Sequence, residues 1–281
     1  VLKKSEDETN IVLNFEKQEG QTSTGIILPA DLPLSLQGKA GNIVKELKAQ
    51  NLIKMTEVKK EKRGGINFFN CDNIEFMKTK PDNYYDLAIV DPPYGLERFK
   101  KASKETTGVY AKRGSFKSED GQNWNNEKPT KEYFDELFRI SKNQIIWGAN
   151  NFELPPSEYF CVWDKQQYMP NFASAEYAWV SMGLKKPAQV FRYGIHKENA
   201  IRKAQGGKIH QAQKPVDLYR WILQIYAKEG DRIIDTHGGS HTNAIACDSE
   251  GFDLDIIEID SKYFKDGLNA FDVYKSQTKL F

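Results

Sequence analysis

The chain contains 281 residues, with 40 Lys and Arg against 39 Asp and Glu, so its formal net charge is only +1. Taken at face value, this balance argues against a protein that binds a polyanion through bulk positive charge. The hydrophobic fraction of 39% and the charged fraction of 28% exclude a disordered chain and indicate a folded domain with a sizeable core.

Residues 1–64 are predicted to be an N-terminal extension of unknown role. They contain two strand-like runs, IVLNF at 11–15 and GIILP at 25–29, and a segment at 41–54 with apolar residues at helical spacing. The basic run KKEKRGG at 59–65 is predicted to be an exposed linker. Because the sequence shows neither a signal-peptide pattern nor an apolar run long enough to span a membrane, we expect a cytoplasmic protein.

Residues 65–275 are predicted to form one α/β domain. Short apolar runs alternate with amphipathic segments, which is typical of a mixed, mostly parallel sheet flanked by helices. The predicted strands lie at 66–69, 86–91, 144–148, 159–163, 175–183, 188–193, 232–235 and 254–259. The predicted helices lie at 131–142, 214–228, 240–250 and 261–275, and Pro215 is expected in the first turn of the second helix.

The most specific motif is Asp91-Pro92-Pro93-Tyr94, which directly follows the predicted strand DLAIV. Open α/β sheets bind ligands beyond the carboxyl ends of their strands. There the Asp91 carboxylate and the Pro92 carbonyl can accept both N–H bonds of an exocyclic amine and localise its lone pair for attack. The prolines stiffen the turn, and Tyr94 can stack on an extruded base. An ordinary Asp-Pro turn is the alternative interpretation.

A second motif, DTHGGSHT at 235–242, joins a predicted strand to a predicted helix. A glycine loop at a helix N-terminus allows the backbone to approach a small ligand closely. Glu258 ends the next strand and Asp260 lies just beyond it, where an acid accepts hydrogen bonds from ribose hydroxyls. A tight strand-to-helix connection without a ligand is the alternative.

The cysteines and histidines give no metal framework. Cys71, Cys161 and Cys247 are far apart, so each is predicted to be a buried, reduced residue. His237 and His241 are close enough to form a pair, but no third ligand type lies beside them, and no metal site is predicted.

Further segments follow in a recognisable order: WNNEKPTKEYFDELFRISKNQIIWGANNF, VWDK, HQAQKPVDL and IIEIDSKYF. Together with DPPYG and DTHGGSHTNAIAC, they resemble the amino-group DNA methyltransferases that depend on S-adenosylmethionine. The tetrapeptide precedes the glycine loop, as in the beta group, and the pattern is similar to the phage and prophage adenine-specific branch. The resemblance covers residues 65–275.

The resemblance implies a Rossmann-like methyltransferase fold with a circularly permuted motif order, and methyl transfer to adenine N6 of a flipped-out base in double-stranded DNA. In that family, Asp at the first position of the tetrapeptide is usual for adenine N6 and Ser is frequent for cytosine N4, so Asp91 favours adenine. A cytosine-N4 DNA methyltransferase and a catalytically impaired DNA-binding relative are the alternatives. A role in restriction-modification is a further expectation.

The family pattern also implies the site residues. The catalytic residues would be Asp91, Pro92, Pro93 and Tyr94. S-adenosylmethionine, the methyl donor, would contact Asp72, Lys214, Asp235, Thr236, Gly238, Gly239, Ser240 and Glu258, with no metal. The glycine loop departs from the family's Asp-Pro-Phe-x-Gly-Ser-Gly at Thr236, His237 and His241, and a side chain at the last position is expected to crowd the methionine end of the cofactor.

Two basic segments are predicted to contact DNA phosphates, with a solvated loop as the alternative for each. Residues 96–118 contain seven Lys and Arg and two Glu, and residues 185–208 contain seven and one, giving local charges of +5 and +6. The other residues therefore sum to −10, so near-neutrality no longer excludes DNA. The candidate contacts are Arg98, Lys100, Arg113, Arg192, Arg202 and Lys203.

Residues 276–281 are predicted to be a separate tail. Gln277, Leu280 and Phe281 match the Gln-x-x-Leu-Phe peptide of bacterial sliding-clamp ligands, and packing on the protein's own surface is the alternative. A homodimer is the other protein partner considered.

Overall fold

The structure is a computed structural model that describes residues 10–15, 26–29, 53–56, 58–95, 128–168, 173–204 and 212–278. The chain divides into two compact units, residues 1–60 and 61–281. In the first, β1 (Asn10–Phe15) pairs antiparallel with β2 (Ile26–Pro29) and β3 (Ile53–Thr56). The strands predicted at 11–15 and 25–29 are confirmed. β3 occupies the end of the predicted helix at 41–54, and the rest of that prediction lies outside the described residues.

The larger sheet has nine strands in the order β10-β8-β9-β7-β6-β11-β12-β5-β4. The strands are β4 (Lys59–Arg63), β5 (Ile66–Asn70), β6 (Tyr85–Val90), β7 (Ser141–Trp147), β8 (Phe160–Asp164), β9 (Ala175–Val180), β10 (Gln189–Arg192), β11 (Arg232–Asp235) and β12 (Asp253–Ile257). β9 runs antiparallel to both of its neighbours, β7 and β8, whereas the pairs from β7 through β6, β11 and β12 to β5 are parallel. The predicted mixed, mostly parallel sheet is confirmed.

The prediction of an exposed linker at 59–65 is wrong. Residues 59–63 form β4, at the edge of the sheet beside β5. Gly64 has φ +63, a left-handed conformation that glycine adopts readily, and it allows a tight turn between the two strands. Three lysines and an arginine suit an edge strand because charged side chains discourage further strand pairing.

Six helices flank the sheet in the described part of this unit. They are α1 (Asn73–Lys78), α2 (Lys131–Ile140), α3 (Ile195–Ala204), α4 (Val216–Tyr226), α5 (Thr242–Glu250) and α6 (Ser261–Thr278). α2, α4, α5 and α6 are the four predicted helices, whereas α1 and α3 are additional. Pro215 was expected in the first turn of α4. It is instead the N-cap, one position before that turn.

The sheet interior is apolar on both faces. Leu87 and Ile89 of β6 belong to the main hydrophobic cluster, which includes residues of α4, α5 and α6. Ala88 and Val90 are also fully buried, and the alternation of side chains along a strand directs them to the opposite face. Cys71, Cys161 and Cys247 are buried and free, as predicted. Among the described helices, none has the length and hydropathy needed to cross a bilayer.

β6 and β11 are neighbours at the centre of the sheet. From β6 the chain continues to β7 on one side, and from β11 it continues to β12 on the other side. Such a reversal is a topological switch point, the position at which open α/β sheets bind ligands. Asp91 follows β6 and Asp235 ends β11, so the two predicted motifs meet at this point.

Candidate functional site

The turn after β6 fixes the carboxylate of Asp91. The Tyr94 hydroxyl donates a hydrogen bond to Asp91 Oδ1 at 2.6 Å, and Pro92 between them is buried. The Tyr94 ring packs on Gly148, which has φ +68 and where an added Cβ would lie 2.0 Å from the ring. Only glycine fits both this conformation and this contact, so the residue after β7 packs closely against the turn that contains Asp91.

Lys214, just before α4, connects Asp91 to a second carboxylate. Its side chain is only 2% exposed, and its ammonium group contacts Asp91 Oδ2 and lies 3.1 Å from Glu176 Oε2. The ammonium is also 3.3 Å from the Tyr94 hydroxyl. Glu176 Oε1 in turn contacts the ammonium of Lys165. Asp91, Lys214, Glu176 and Lys165 therefore form a row of alternating charges, hereafter the charge row.

Burial and these partners determine the ionisation of the charge row. Desolvation raises the pKa of Asp91, although Lys214 opposes the shift. Desolvation acts against ionised Glu176 too, but Lys214 and Lys165 outweigh it and lower the pKa of Glu176 to about 2. For Lys214, burial favours the neutral amine, yet the two carboxylates prevail and raise its pKa. Glu176 and Lys214 are therefore charged across the neutral range.

The loop after β11 holds two further carboxylates by amide groups. Asp235 Oδ1 accepts a hydrogen bond from the backbone N–H of His237 at 3.0 Å, and its Oδ2 accepts one from Asn243 Nδ2 at 3.0 Å. Glu258 Oε2 accepts the backbone N–H of Gly239 at 2.7 Å. Its Oε1 accepts the backbone N–H of Asp260 at 2.8 Å. Glu258, beyond β12, thereby fixes the shape of the glycine loop.

Both of these acids ionise with difficulty. Desolvation raises the pKa of Asp235 to about 6, against the hydrogen bonds from His237 and Asn243. Desolvation likewise raises the pKa of Glu258 to about 7, against its two backbone hydrogen bonds. Ligand groups that donate hydrogen bonds or carry positive charge would stabilise the ionised forms. This half of the site is therefore suited to a cationic or hydroxyl-bearing ligand.

His237 and its neighbours form one wall of the glycine loop. Tyr133 of α2 is 2.7 Å from Thr236 Oγ1 through its hydroxyl, and its ring lies 5.1 Å from the His237 ring. Asn73 Nδ2 is 3.0 Å from His237 Nε2 and donates to the Thr236 carbonyl at 3.2 Å. Asp72 is the N-cap of α1, since its carboxylate accepts the Glu75 N–H at 2.9 Å. α1 and α2 therefore hold the loop through side-chain hydrogen bonds.

His241 differs from the expectation that it would crowd the cofactor loop. Its ring is fully buried in the core, with its centroid 5.2 Å from Phe68 of β5 and 6.0 Å from Phe264 of α6. An added Cβ on Gly267 of α6 would lie 2.4 Å from its Nδ1. Burial lowers the pKa of His241 to about 3, so the ring is neutral. The side chain fills a space between β5 and α6, and its backbone takes the left-handed φ of +55 that the glycine loop requires.

The remaining predicted residues are placed as follows. Gly238 and Ser240 are buried in the loop. Arg192 ends β10, with a side chain 69% exposed and 3.8 Å from Asp164. Arg202 and Lys203 lie on α3, but their side chains are outside the described part of the structure. Five further predicted residues lie outside the described ranges altogether: Arg98, Lys100, Arg113, Leu280 and Phe281. Gln277 is exposed on α6. No group of three potential metal ligands occurs among the described residues.

Several residues of the site have no sequence-based prediction. They are Glu176, Lys165, Asn243, Tyr133 and Asn73. VWDK contains Lys165, and this segment belongs to the pattern that suggested a family, but no role followed from it. Glu176 lies near the start of β9, and because β9 is antiparallel, its start lies beside the carboxyl end of β8, where Glu176 pairs with Trp163.

The sheet order and the carboxylates at its switch point define a Rossmann-like α/β protein with a ligand site at the strand ends. Residues 160–269 match the family model described as DNA methylase, of the N6 and N4 methyltransferases. The type II methyltransferase M2.MboI of Moraxella bovis is 24% identical over 223 residues, in an alignment that covers 64% of this chain and 78% of that protein.

The solved structures to which this chain is similar include the M1.HpyAVI–SAM complex, with 16% identity, a TM-score of 0.44, and coverage of 73% of this chain and 99% of that chain. PvuII DNA methyltransferase, which is cytosine-N4-specific, has 14% identity, a TM-score of 0.45, and coverage of 75% and 91%. The two sequence matches support a DNA methyltransferase.

Proposed function

We propose that this protein transfers a methyl group from S-adenosylmethionine to the N6 amine of an adenine that is flipped out of double-stranded DNA. One observation supports the proposal most directly. The Asp91-Pro92 turn and the Asp235 loop lie at the ends of adjacent strands, so an amine acceptor and a cofactor loop share one switch point. We expect the activity to be cytoplasmic and to belong to a restriction-modification system.

The residues of the glycine loop fit the chemistry of S-adenosylmethionine. This cofactor is cationic and carries ribose hydroxyls, and it supplies an activated methyl group on sulfur. Asp235 and Glu258 are buried acids with raised pKa values, which a ligand that donates hydrogen bonds or positive charge stabilises in the ionised state. We assign the binding of this ligand to these two acids and to the backbone of Thr236, Gly238, Gly239 and Ser240. Asp72, beside the loop through Asn73, is the further candidate.

Asp91 and Pro92 would activate the target amine. The Asp91 carboxylate has room for additional hydrogen bonds because each carboxylate oxygen accepts about two and each now has one described polar partner, Tyr94 or Lys214. The Asp91 carboxylate and the Pro92 carbonyl would each accept a hydrogen bond from one N–H of the amine. These two bonds would direct the nitrogen lone pair away from the ring and towards the methyl group. The rigid turn supplies this geometry before the base arrives, and Pro93 and Tyr94 complete it.

DNA would contact the basic side chains on the β10 and α3 side of the site. Arg192 is exposed at the end of β10, and β10 and β8 are parallel, so Arg192 lies at the same edge as Asp164 and the charge row. Residues 96–118 follow the Asp91 turn directly in the chain and carry a local charge of +5. Phosphate contacts there would hold the duplex while the base is extruded, which costs about a few kcal/mol.

The base identity is proposed from Asp91, and cytosine N4 is the competing target because its amine needs the same two acceptors. A random-sequence DNA library treated with protein and S-adenosylmethionine, then sequenced at base resolution and analysed as nucleosides, separates the two. N6-methyladenine at a defined site is the expected result. N4-methylcytosine would transfer the assignment to the other amine, and no methylated base would contradict the proposal if the wild-type protein binds both cofactor and DNA.

A further inference from the structure

The charge row contains more carboxylates than the amine-activating step requires. That step uses one acid, Asp91, and Lys214 would suffice as its counter-ion. The Lys214 ammonium nevertheless has a second carboxylate, Glu176, whose Oε2 lies 3.1 Å away, and Glu176 is held from its other oxygen by Lys165. β8, β9 and the segment before α4 thus converge on a point beside the reacting carboxylate.

We propose that Glu176 is a positioning residue for methyl transfer, which shares the Lys214 ammonium with Asp91 and so keeps Asp91 a strong hydrogen-bond acceptor for the target amine. The inference rests on the proposed function, because the amine is the group that Asp91 is assigned to bind. Glu176 does not itself contact the substrate in this scheme. Its effect passes through Lys214.

The physical reason is competition for one cation. In a closed pair of Asp91 and Lys214 alone, the ammonium would draw electron density from the carboxylate and weaken its bonds to a neutral amine. A second carboxylate on the same ammonium reduces that effect. Lys165 then balances Glu176, so the row contains two cations and two anions, and burial creates no unpaired charge.

Other ionisable groups also interact electrostatically with Asp91. They are Tyr94 in the same turn, Tyr133 of α2, Tyr219 of α4 and Asp235 at the end of the neighbouring strand β11. Burial raises the pKa of all three tyrosines, which remain neutral. Lys214 also lowers the pKa of Asp235, so Glu176→Gln is the variant that tests the effect on Asp91 most directly.

The first experiment needs neither cofactor nor DNA. In protein labelled with carboxyl-¹³C aspartate, the Asp91 signal is assigned by its loss in Asp91→Asn and titrated with acid. Glu176→Gln should move the Asp91 midpoint to lower pH, because it removes a nearby negative charge, whereas Lys214→Met should move it to higher pH by about one pH unit or more. Midpoints that do not move in opposite directions overturn the proposal.

The second experiment measures the reaction. Glu176→Gln should lower the maximal rate of single-turnover methylation by about tenfold or more, leave KM for DNA and the Kd of S-adenosylmethionine within about twofold, and move the acid limb of the rate profile to lower pH. A loss of rate with an unchanged acid limb indicates a purely structural salt bridge and overturns the proposal.

Two variants complete the design. Glu250→Gln is the matched control, because Glu250 also has two partners, Arg220 at 2.7 Å and Gln224 at 3.1 Å, with a side chain 16% exposed at the far end of α5. It should change neither the Asp91 midpoint nor the rate. Lys165→Met tests the row if Glu176→Gln does not fold, since Glu176 would then compete harder for Lys214 and the Asp91 midpoint should rise. If wild-type protein methylates no DNA, the proposed function fails, while the titration still tests the charge row.

Discussion

Asp91 and Asp235 follow neighbouring strands of one sheet, yet their carboxylates have different partners. Asp91 has a lysine ammonium and a tyrosine hydroxyl, and Asp235 has a backbone N–H and a side-chain amide. Glu176 and Glu258 repeat the contrast, since Glu176 binds two lysines and Glu258 binds two backbone N–H groups. The two halves of the switch point therefore differ in charge balance as well as in sequence.

Under the proposed function, this difference would give each half of the switch point a separate task. A balanced row of charges offsets part of the desolvation of a buried carboxylate before any substrate arrives, which favours a catalytic acceptor. Acids held by amides alone ionise reluctantly, with pKa values of about 6 for Asp235 and about 7 for Glu258, so a donor or cation supplied by a ligand stabilises them. Under the proposed function, the first half would take part in the reaction, and the second half would become fully charged when the cofactor binds.

The largest expected effect is the loss of methyl transfer in Asp91→Ala. Removing the carboxylate removes a preorganised acceptor for the target amine, which should lower the single-turnover rate by at least about 10²–10³-fold. Cofactor binding, measured by calorimetry, should be largely retained because Asp235 and Glu258 are intact. A variant that methylates DNA at the native rate would show that Asp91 is not the catalytic acceptor.

The second-largest expected effect is on cofactor binding, in the half of the site that contains Asp235 and Glu258. Glu258→Gln should weaken S-adenosylmethionine binding by about tenfold to a hundredfold, since hydrogen bonds to a charged group contribute about 1.5–3 kcal/mol. The methylation rate at saturating cofactor should stay within about threefold of wild type, because the charge row is unchanged. Glu250→Gln controls for the loss of a hydrogen-bonded carboxylate away from the site. If the rate at saturation falls and the Kd does not, the division of tasks between the halves is wrong.

The pH dependence of cofactor binding should show a smaller effect, about tenfold between pH 6 and pH 8. Glu258 has its pKa raised from 4.5 to about 7, so without ligand it takes up a proton as the pH falls through 7. Ligand donors prefer the carboxylate, and affinity should therefore rise with pH. Calorimetry in two buffers of different ionisation enthalpy should detect proton release near pH 6.5, and Glu258→Gln should abolish that part of it.

The raised pKa of Glu258 has the opposite effect on the stability of the cofactor-free protein, which should fall as the pH rises. A carboxyl group that binds its proton more tightly when folded destabilises the fold as the pH rises from 4.5 towards 7. Asp235 adds to this cost between its ordinary value of 3.8 and about 6. Thermal unfolding without cofactor should therefore show a gain in stability for wild type over Glu258→Gln as the pH falls from 7 to 5.

Much of the fold could be predicted because buried strands and amphipathic helices have distinct hydrophobic patterns. The eight strands predicted from residue 66 onwards and the four predicted helices all occur. β4 was missed because its five residues are all charged, as suits an edge strand, and α1 was missed because six residues give little periodicity. α3 lies in the basic segment 185–208, which was predicted from its charge to contact DNA, with a solvated loop as the alternative, and no helix was predicted there.

The site was predictable where it follows the strand-end rule. Asp91, Asp235 and Glu258 all lie at the carboxyl ends of parallel strands. Glu176 lies at the start of β9, and only the antiparallel pairing of β9 with β8 brings that start to the same edge. A single sequence does not show which strand of a mixed sheet is reversed. For His241, the sequence predicted the position in the loop correctly but not the direction of the side chain.

The smallest expected effect is that of His241→Gly on cofactor binding, which tests whether the loop sequence or the side-chain direction matters. The ring points into the core between Phe68 and Phe264, so S-adenosylmethionine affinity should change by less than about twofold, while the cavity should cost about 2 kcal/mol of stability. Gly267 provides the control. Gly267→Ala should destabilise the wild type, where the new Cβ would lie 2.4 Å from His241 Nδ1, and should stabilise His241→Gly by filling the space. Tighter cofactor binding in His241→Gly without that coupling would mean that the ring occupies the cofactor site after all.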